Sequence, residues 1–270
     1  RTIAMSIVTA VGSFGYFLSP ILTQYSLTEN GWEITLLSFL VALVIGLGIS
    51  FFVRSPSLEQ TIEKPNTQSL SDAVKEAFGT KSYILLVSGF FVCGFHITLV
   101  GTHVPTYVID RGLESWTAAA ILSLIGLFNI FGTLGIGYLG TKYRKKNLLS
   151  ILYALRAVSI SVFIFSPPSL LNSIIFGITF GLLWLSTVPP TNGIVAQIFG
   201  TKYLSTLFGI VFLCHQIGAF LGAYLGGYFF DLYGSYDYAF YIAIALSIFA
   251  TLVHYPIDEK PLIREIQKYN

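Results

Sequence analysis

Charge is what this chain has least of. Of its 270 residues only 10% are charged, against 54% hydrophobic, where soluble domains average about 25% charged. A surface that faces water on all sides is not the plain reading of such a composition. Cysteine occurs twice, and both Cys93 and Cys214 fall inside apolar runs. That excludes a disulfide framework and leaves the redox compartment unread. The net charge of +2 comes with no basic patch of the kind nucleic acid requires. No phosphate-cradling glycine loop occurs, so nothing points to ATP as a driving force. Ser, His and Asp do not cluster as a nucleophilic triad, and no Asp or Glu lies deep in an apolar run; Glu33, at the mouth of one, comes nearest. Neither an enzyme nor a cofactor is expected.

What the chain has is eight apolar blocks, over residues 3–22, 34–53, 83–107, 117–139, 148–165, 170–188, 204–230 and 239–255. Most approach the roughly 20 residues that cross about 30 Å of hydrocarbon at 1.5 Å per residue. None alternates polar with apolar, so helices are expected rather than barrel strands. Buried helices of a soluble protein are the bland alternative, and eight in succession with so little charge argue against it. The expected fold class is all-α, a polytopic transmembrane bundle of eight helices.

Basic residues mark one side. Arg1, Arg54, Lys64, Lys75, Lys81, Lys142, Arg144, Lys145, Lys146, Lys202, Lys260, Arg264 and Lys268 fall at alternate junctions and at the ends. Of the 15 lysines and arginines this leaves Arg111 on the other side and Arg156 inside a block. The positive-inside bias then places both ends in the cytoplasm. Residue 1 is arginine and the first block follows at once, without a signal peptide. The chain reads as a C-terminal fragment, entered from a preceding cytoplasmic loop.

The junction from 54 to 81 is long and rich in Ser, Thr, Glu and Lys. Ser69-Leu70-Ser71-Asp72 has capping-box spacing ahead of a short helix that Gly79 could end. Two helices before such a linker and six after it match transporters built from two six-helix halves. The expected domains are 1–53, the last two helices of an N-terminal half; 54–81, a cytoplasmic linker; 82–257, a six-helix C-terminal half; and 258–270, a cytoplasmic tail. Gly218, Gly222 and Gly226 recur every four residues and share one helix face, which suits close helix packing.

The run Gly137-Tyr138-Leu139-Gly140-Thr141-Lys142-Tyr143-Arg144-Lys145-Lys146 resembles the short cytoplasmic loop motif of the major facilitator superfamily, with Thr141 where that motif carries aspartate. Longer stretches, such as FFVCGFHITLVGTHVPTYVIDRGL, LLWLSTVPPTNGIVAQIFGTKY and FLCHQIGAFLGAYLGGYFFDLYGSYDYAF, are similar to the bacterial monocarboxylate porter and oxalate/formate antiporter branch. The resemblance implies helices 5 to 12 of a twelve-helix alternating-access carrier in the bacterial inner membrane, with a central site between its halves.

Polar groups at mid-depth are the site candidates, because hydrocarbon penalises them unless a partner, cavity or ligand compensates. His96, Asn129, Trp184 and the pair His215-Gln216 each lie about 12–15 residues into a block, or roughly 18–22 Å along their helices. The resemblance places them on helices 7, 8, 10 and 11, around the cavity. Arg156, roughly 13 Å deep, is either a counter-ion for an anionic substrate or a residue that snorkels or pairs structurally. His96 and His215 are the protonatable candidates if a proton couples to transport. Cys93 with His96 and Cys214 with His215 could bind zinc or copper if their helices met correctly, and no metal site is expected. The expected function is secondary active transport of a small organic solute, a monocarboxylate first. The alternatives are an efflux carrier for amphipathic compounds and a non-transporting sensor with a transporter-like core.

Overall fold

The computed structural model describes residues 2–52 and 68–263. Arg1, Arg54, Lys64, Arg264, Lys268, half of the expected linker and half of the expected tail lie outside the described residues. Regular structure among the described residues is helical: α1 (Thr2–Ser50), α2 (Leu70–Gly79), α3 (Lys81–Asp110), α4 (Ser115–Lys142), α5 (Lys145–Phe165), α6 (Leu170–Leu183), α7 (Val188–Phe199), α8 (Leu204–Tyr233) and α9 (Asp237–His254).

At 49 residues α1 is too long for one crossing, and Gly31 breaks it with φ 77° and ψ 177°, a backbone state that glycine enters without steric cost. The break is a reversal. Thr35 donates to the Ser26 hydroxyl at 2.8 Å, although nine positions of straight helix would separate them by about 13 Å. The arms 2–30 and 32–50 are therefore two passes. α6 and α7 share another pass, Leu170–Phe199, interrupted between Trp184 and Thr187. With α3, α4, α5, α8 and α9 this gives the eight expected crossings.

The sixth pass departs from its expected block, which ended at 188. Pro189, Pro190, Thr191 and Asn192 dilute the apolar run there. Helix nevertheless restarts at Val188 with proline in its first turn, where the missing N–H has no helical partner to lose.

Small residues set the packing. A Cβ on Gly218 would lie 2.0 Å from the Phe91 carbonyl oxygen, one on Gly222 2.3 Å from that of Phe95, and one on Gly94 1.8 Å from that of His215. α3 and α8 thus touch backbone to backbone. Gly126 and Gly137 hold α4 equally close to Phe17 and Ser6 of α1.

The basic junctions meet at one end of the bundle. Lys145 donates to Gln197 at 2.8 Å, Lys146 to the Tyr255 carbonyl at 3.0 Å and Lys202 to the Gln68 carbonyl at 2.9 Å. Asp258 N–H reaches Ser82 at 2.9 Å. At the other end Arg111 pairs with Asp237 at 3.0 Å.

Candidate functional site at the interrupted helix

The interruption leaves carbonyls at the end of α6 and N–H groups at the start of α7 without helical partners. Inside hydrocarbon each orphan costs several kcal/mol, so the sequence around it must supply partners. Arg156 of α5 does so from one side. Its Nη2 donates to Leu183 O at 2.7 Å and also to Trp184 O, and its Nε reaches Leu183 O at 3.3 Å. The cation thus sits at the negative end of the α6 dipole, where positive charge is favoured. It also lies over the rings of Tyr153 and Phe180, at 5.2 and 5.9 Å, within cation–π range. Arg156 is fully buried and has no carboxylate partner among the described residues.

Asn129 of α4 completes the break from the opposite side. Its Oδ1 accepts from the Leu185 N–H at 2.8 Å. Its Nδ2 donates at 2.6 Å to Ser13 of α1, whose own hydroxyl donates to Thr9 O at 2.7 Å. Ser186 returns a bond to Leu182 O and Thr191 one to Thr187 O, both at 2.7 Å. The Trp184 ring lies 5.7 Å from Tyr16 of α1 and 5.7 Å from Phe180. Beyond Tyr16 opens a cavity of about 380 Å³, lined by Tyr16, Ser19, Thr23 and Gln24 of α1, Pro105 of α3 and Ser115 of α4 among others. Its polar lining is neutral.

The structure therefore brings Asn129, Trp184 and Arg156 to one feature, the break. His215 reaches the edge of the break through a side-chain hydrogen bond to Cys93, which contacts Thr187, and the remaining candidates lie elsewhere. His96 is buried between α3 and α9, its Nε2–H donating to Ala243 O at 2.8 Å. His215 stacks on Phe212 with centroids 4.9 Å apart, and its Nδ1–H donates to the exposed Gln216 at 3.0 Å. In the loop motif, Gly137 packs against Ser6, Gly140 is buried, Arg144 sits at the N-cap position of α5 without a side-chain cap bond, and Lys145 binds Gln197. Cys93 lies 3.2 Å from the Thr187 hydroxyl and 3.7 Å from Arg156 Nη2, a cationic neighbour that a metal ion would meet as repulsion.

Sequence reading missed Ser13, Tyr16 and the break itself. A Ser-Thr pair followed by two prolines inside an apolar run was the available signal for the break. For Ser13 and Tyr16 the signal was fainter. Ser13 stands between two glycines in VGSFG, where close approach of another helix is possible.

Eight crossings, helices packed through glycine, and a mid-membrane break fastened by side chains from three other helices define a polytopic membrane protein of the solute-carrier type. The chain belongs to the Major Facilitator Superfamily, whose model matches residues 1–188 and 185–268. This is a family of membrane transporters and not of enzymes.

The chain is similar to the uncharacterized MFS-type transporter YcxA of Bacillus subtilis, with 24% identity over 256 residues, 91% of this chain and 61% of that protein. It is also similar to monocarboxylate transporter 13 of Rattus norvegicus, with 24% identity over 267 residues, 94% of this chain and 60% of the relative. Among solved structures it resembles the major facilitator transporter FucP in its outward conformation. There the identity is 17% and the TM-score 0.57, over 85% of this chain and 54% of that one, which speaks to fold alone. The chain spans about 60% of the length of these two curated relatives.

Proposed function

We propose that this chain is the larger part of a secondary active transporter that moves a small organic solute by alternating access, with an anionic monocarboxylate as the first substrate class. The observation that carries the proposal is the pair of hydrogen bonds at Asn129, one donated to Ser13 on α1 and one accepted from the Leu185 N–H at the break. It ties the expected N-terminal half to the one pass of the expected C-terminal half whose backbone is already interrupted. A seam of this kind can transmit rocking of one half to the other, because the break can adjust without losing an intact helix.

In this reading Asn129, Trp184 and Tyr16 face the solute path and Arg156 holds the break in place. Arg156 is occupied with carbonyls, so it serves position rather than recognition. A coupling proton would use His215, beside the exposed face of α8, while His96 is committed to the Ala243 carbonyl. The similarity to monocarboxylate transporter 13 supports the substrate class. The basic end of the bundle supports a cytoplasmic location for both ends; the bacterial inner membrane rests on the sequence resemblance alone.

One observation favours the efflux alternative. An apolar groove of about 270 Å³ runs between α5 and α6, lined by Leu155, Val158, Val162, Phe163, Phe176 and Leu182 among others. Uptake of labelled pyruvate, lactate, formate and oxalate by the full-length parent in proteoliposomes, with and without an inward proton gradient, separates the two. Gradient-stimulated uptake of one acid supports the porter. Transport of amphipathic dyes without any acid flux supports efflux.

A further inference from the structure

Helix α2 stands outside the transport argument. It is ten residues long, and Thr80 alone separates it from α3, a membrane-spanning helix. So short a connection fixes α2 at the membrane surface, at the end of the bundle where the basic junctions meet.

At about 100° per residue, its residues sort into three sectors. Ala73 and Ala77 are buried against the bundle. Leu70, Val74 and Phe78 form the adjoining stripe, and its two ends are open, with Leu70 47% and Phe78 52% exposed. Ser71 and Lys75 come next, and Asp72 and Glu76 point away on the far side. Charge is therefore ordered around the helix: apolar stripe, then cation, then acids. Lys81, also exposed, adds a second cation at the start of α3.

We propose that α2 lies in the boundary between headgroups and acyl chains of the adjacent leaflet, with Leu70 and Phe78 inserted and Lys75 and Lys81 against anionic phospholipid headgroups. A water-facing helix gains nothing from two exposed large apolar side chains on one stripe. A helix covered by protein has no use for a lysine placed between that stripe and the acids. A lipid surface uses both, since apolar burial and attraction to anionic headgroups add for an interfacial helix. The charge order also turns Asp72 and Glu76 away from the lipid. This inference does not depend on the transport reading.

Nitroxide labels at Leu70→Cys, Phe78→Cys and Asp72→Cys, each in the full-length chain carrying Cys214→Ala and reconstituted in phosphatidylethanolamine–phosphatidylglycerol vesicles, test it. The buried Cys93 stays in place. Collision with oxygen, relative to a water-soluble nickel chelate, is expected to be several-fold higher at positions 70 and 78 than at 72. Equal ratios at all three positions would mean a water-facing helix. Exclusion of both relaxers at 70 and 78 would mean a protein cover. Either overturns the proposal. Position 70 has no ring partner, so it reads the stripe even if loss of the Phe78 ring, 5.8 Å from Tyr83, loosens the helix.

Discussion

The guanidinium of Arg156 is bound to the main chain of Leu183, its Nη2 2.7 Å from that carbonyl oxygen, and so a fully buried cation caps the end of a helix that stops inside the membrane. The arrangement answers two costs at once. The carbonyls at the end of α6 gain donors, and the buried charge gains the negative end of a helix dipole where a carboxylate would otherwise be needed.

Arg156→Met removes every donor to Leu183 and Trp184 while keeping much of the side-chain volume. Each orphaned carbonyl costs about 1–3 kcal/mol, and loss of a buried charge returns part of that, leaving a net destabilisation of about 2 kcal/mol. Arg156→Lys can reach one carbonyl and should lose less. Thermal unfolding of the purified variants in detergent checks the order; a methionine variant as stable as the parent would remove the capping role.

Asn129→Ala should be worse than Ser13→Ala, because it also leaves the Leu185 N–H unsatisfied, at about 1–3 kcal/mol. A double-mutant cycle should return a coupling of about 0.6 kcal/mol between Ser13 and Asn129, the usual size for hydrogen bonds between membrane helices. Additive single effects would mean that the 2.6 Å contact carries no energy.

Gly94→Ala and Gly218→Ala each drive a methyl group into a facing carbonyl and should cost about 1–3 kcal/mol. Gly227→Ala, with nothing within 4 Å, should be neutral or gain up to about 1 kcal/mol from helix propensity. Unfolding midpoints of the three variants test the contrast, which fails if all three fall together.

Those glycines mark how far the sequence could be read. The four-residue repeat of Gly218, Gly222 and Gly226 by itself implies a close helix contact, because it lines one face with residues that have no side chain to hold a neighbour away. The eight passes were legible for the same kind of reason: hydrocarbon thickness imposes a length that composition reveals. Asn129 and Trp184 were singled out by depth alone, and both lie at the break. Depth does not say which way a side chain points, and His96 therefore stood beside them although it serves the α3–α9 contact. The Arg156 clamp was not legible. Its partners are main-chain carbonyls, which every residue owns and no residue name discloses.

The α2 cap gives a pH test. The Ser69 hydroxyl, donating to Asp72 at 2.6 Å, is the main cause holding the Asp72 carboxyl below its ordinary value of 3.8. The folded value lies below the unfolded one. The contribution to helix stability is therefore complete above 3.8 and is lost as pH falls through the lower folded value. Hydrogen exchange of residues 70–79, corrected for intrinsic rate, should be unchanged from about pH 7 to 5 and faster below the ordinary carboxylate range. Asp72→Asn should show no such step.

Entrance counterflow tests alternating access most directly. Proteoliposomes holding the full-length parent are preloaded with unlabelled lactate, diluted into a trace of labelled lactate, and sampled over time; pyruvate, formate and oxalate follow in the same format. The account predicts a transient internal excess of label over its equilibrium level for at least one acid, and its loss in Asn129→Ala protein that remains folded. Label that only equilibrates, at a rate linear in concentration, or that never enters for any of the four acids, would contradict a monocarboxylate carrier working through this seam.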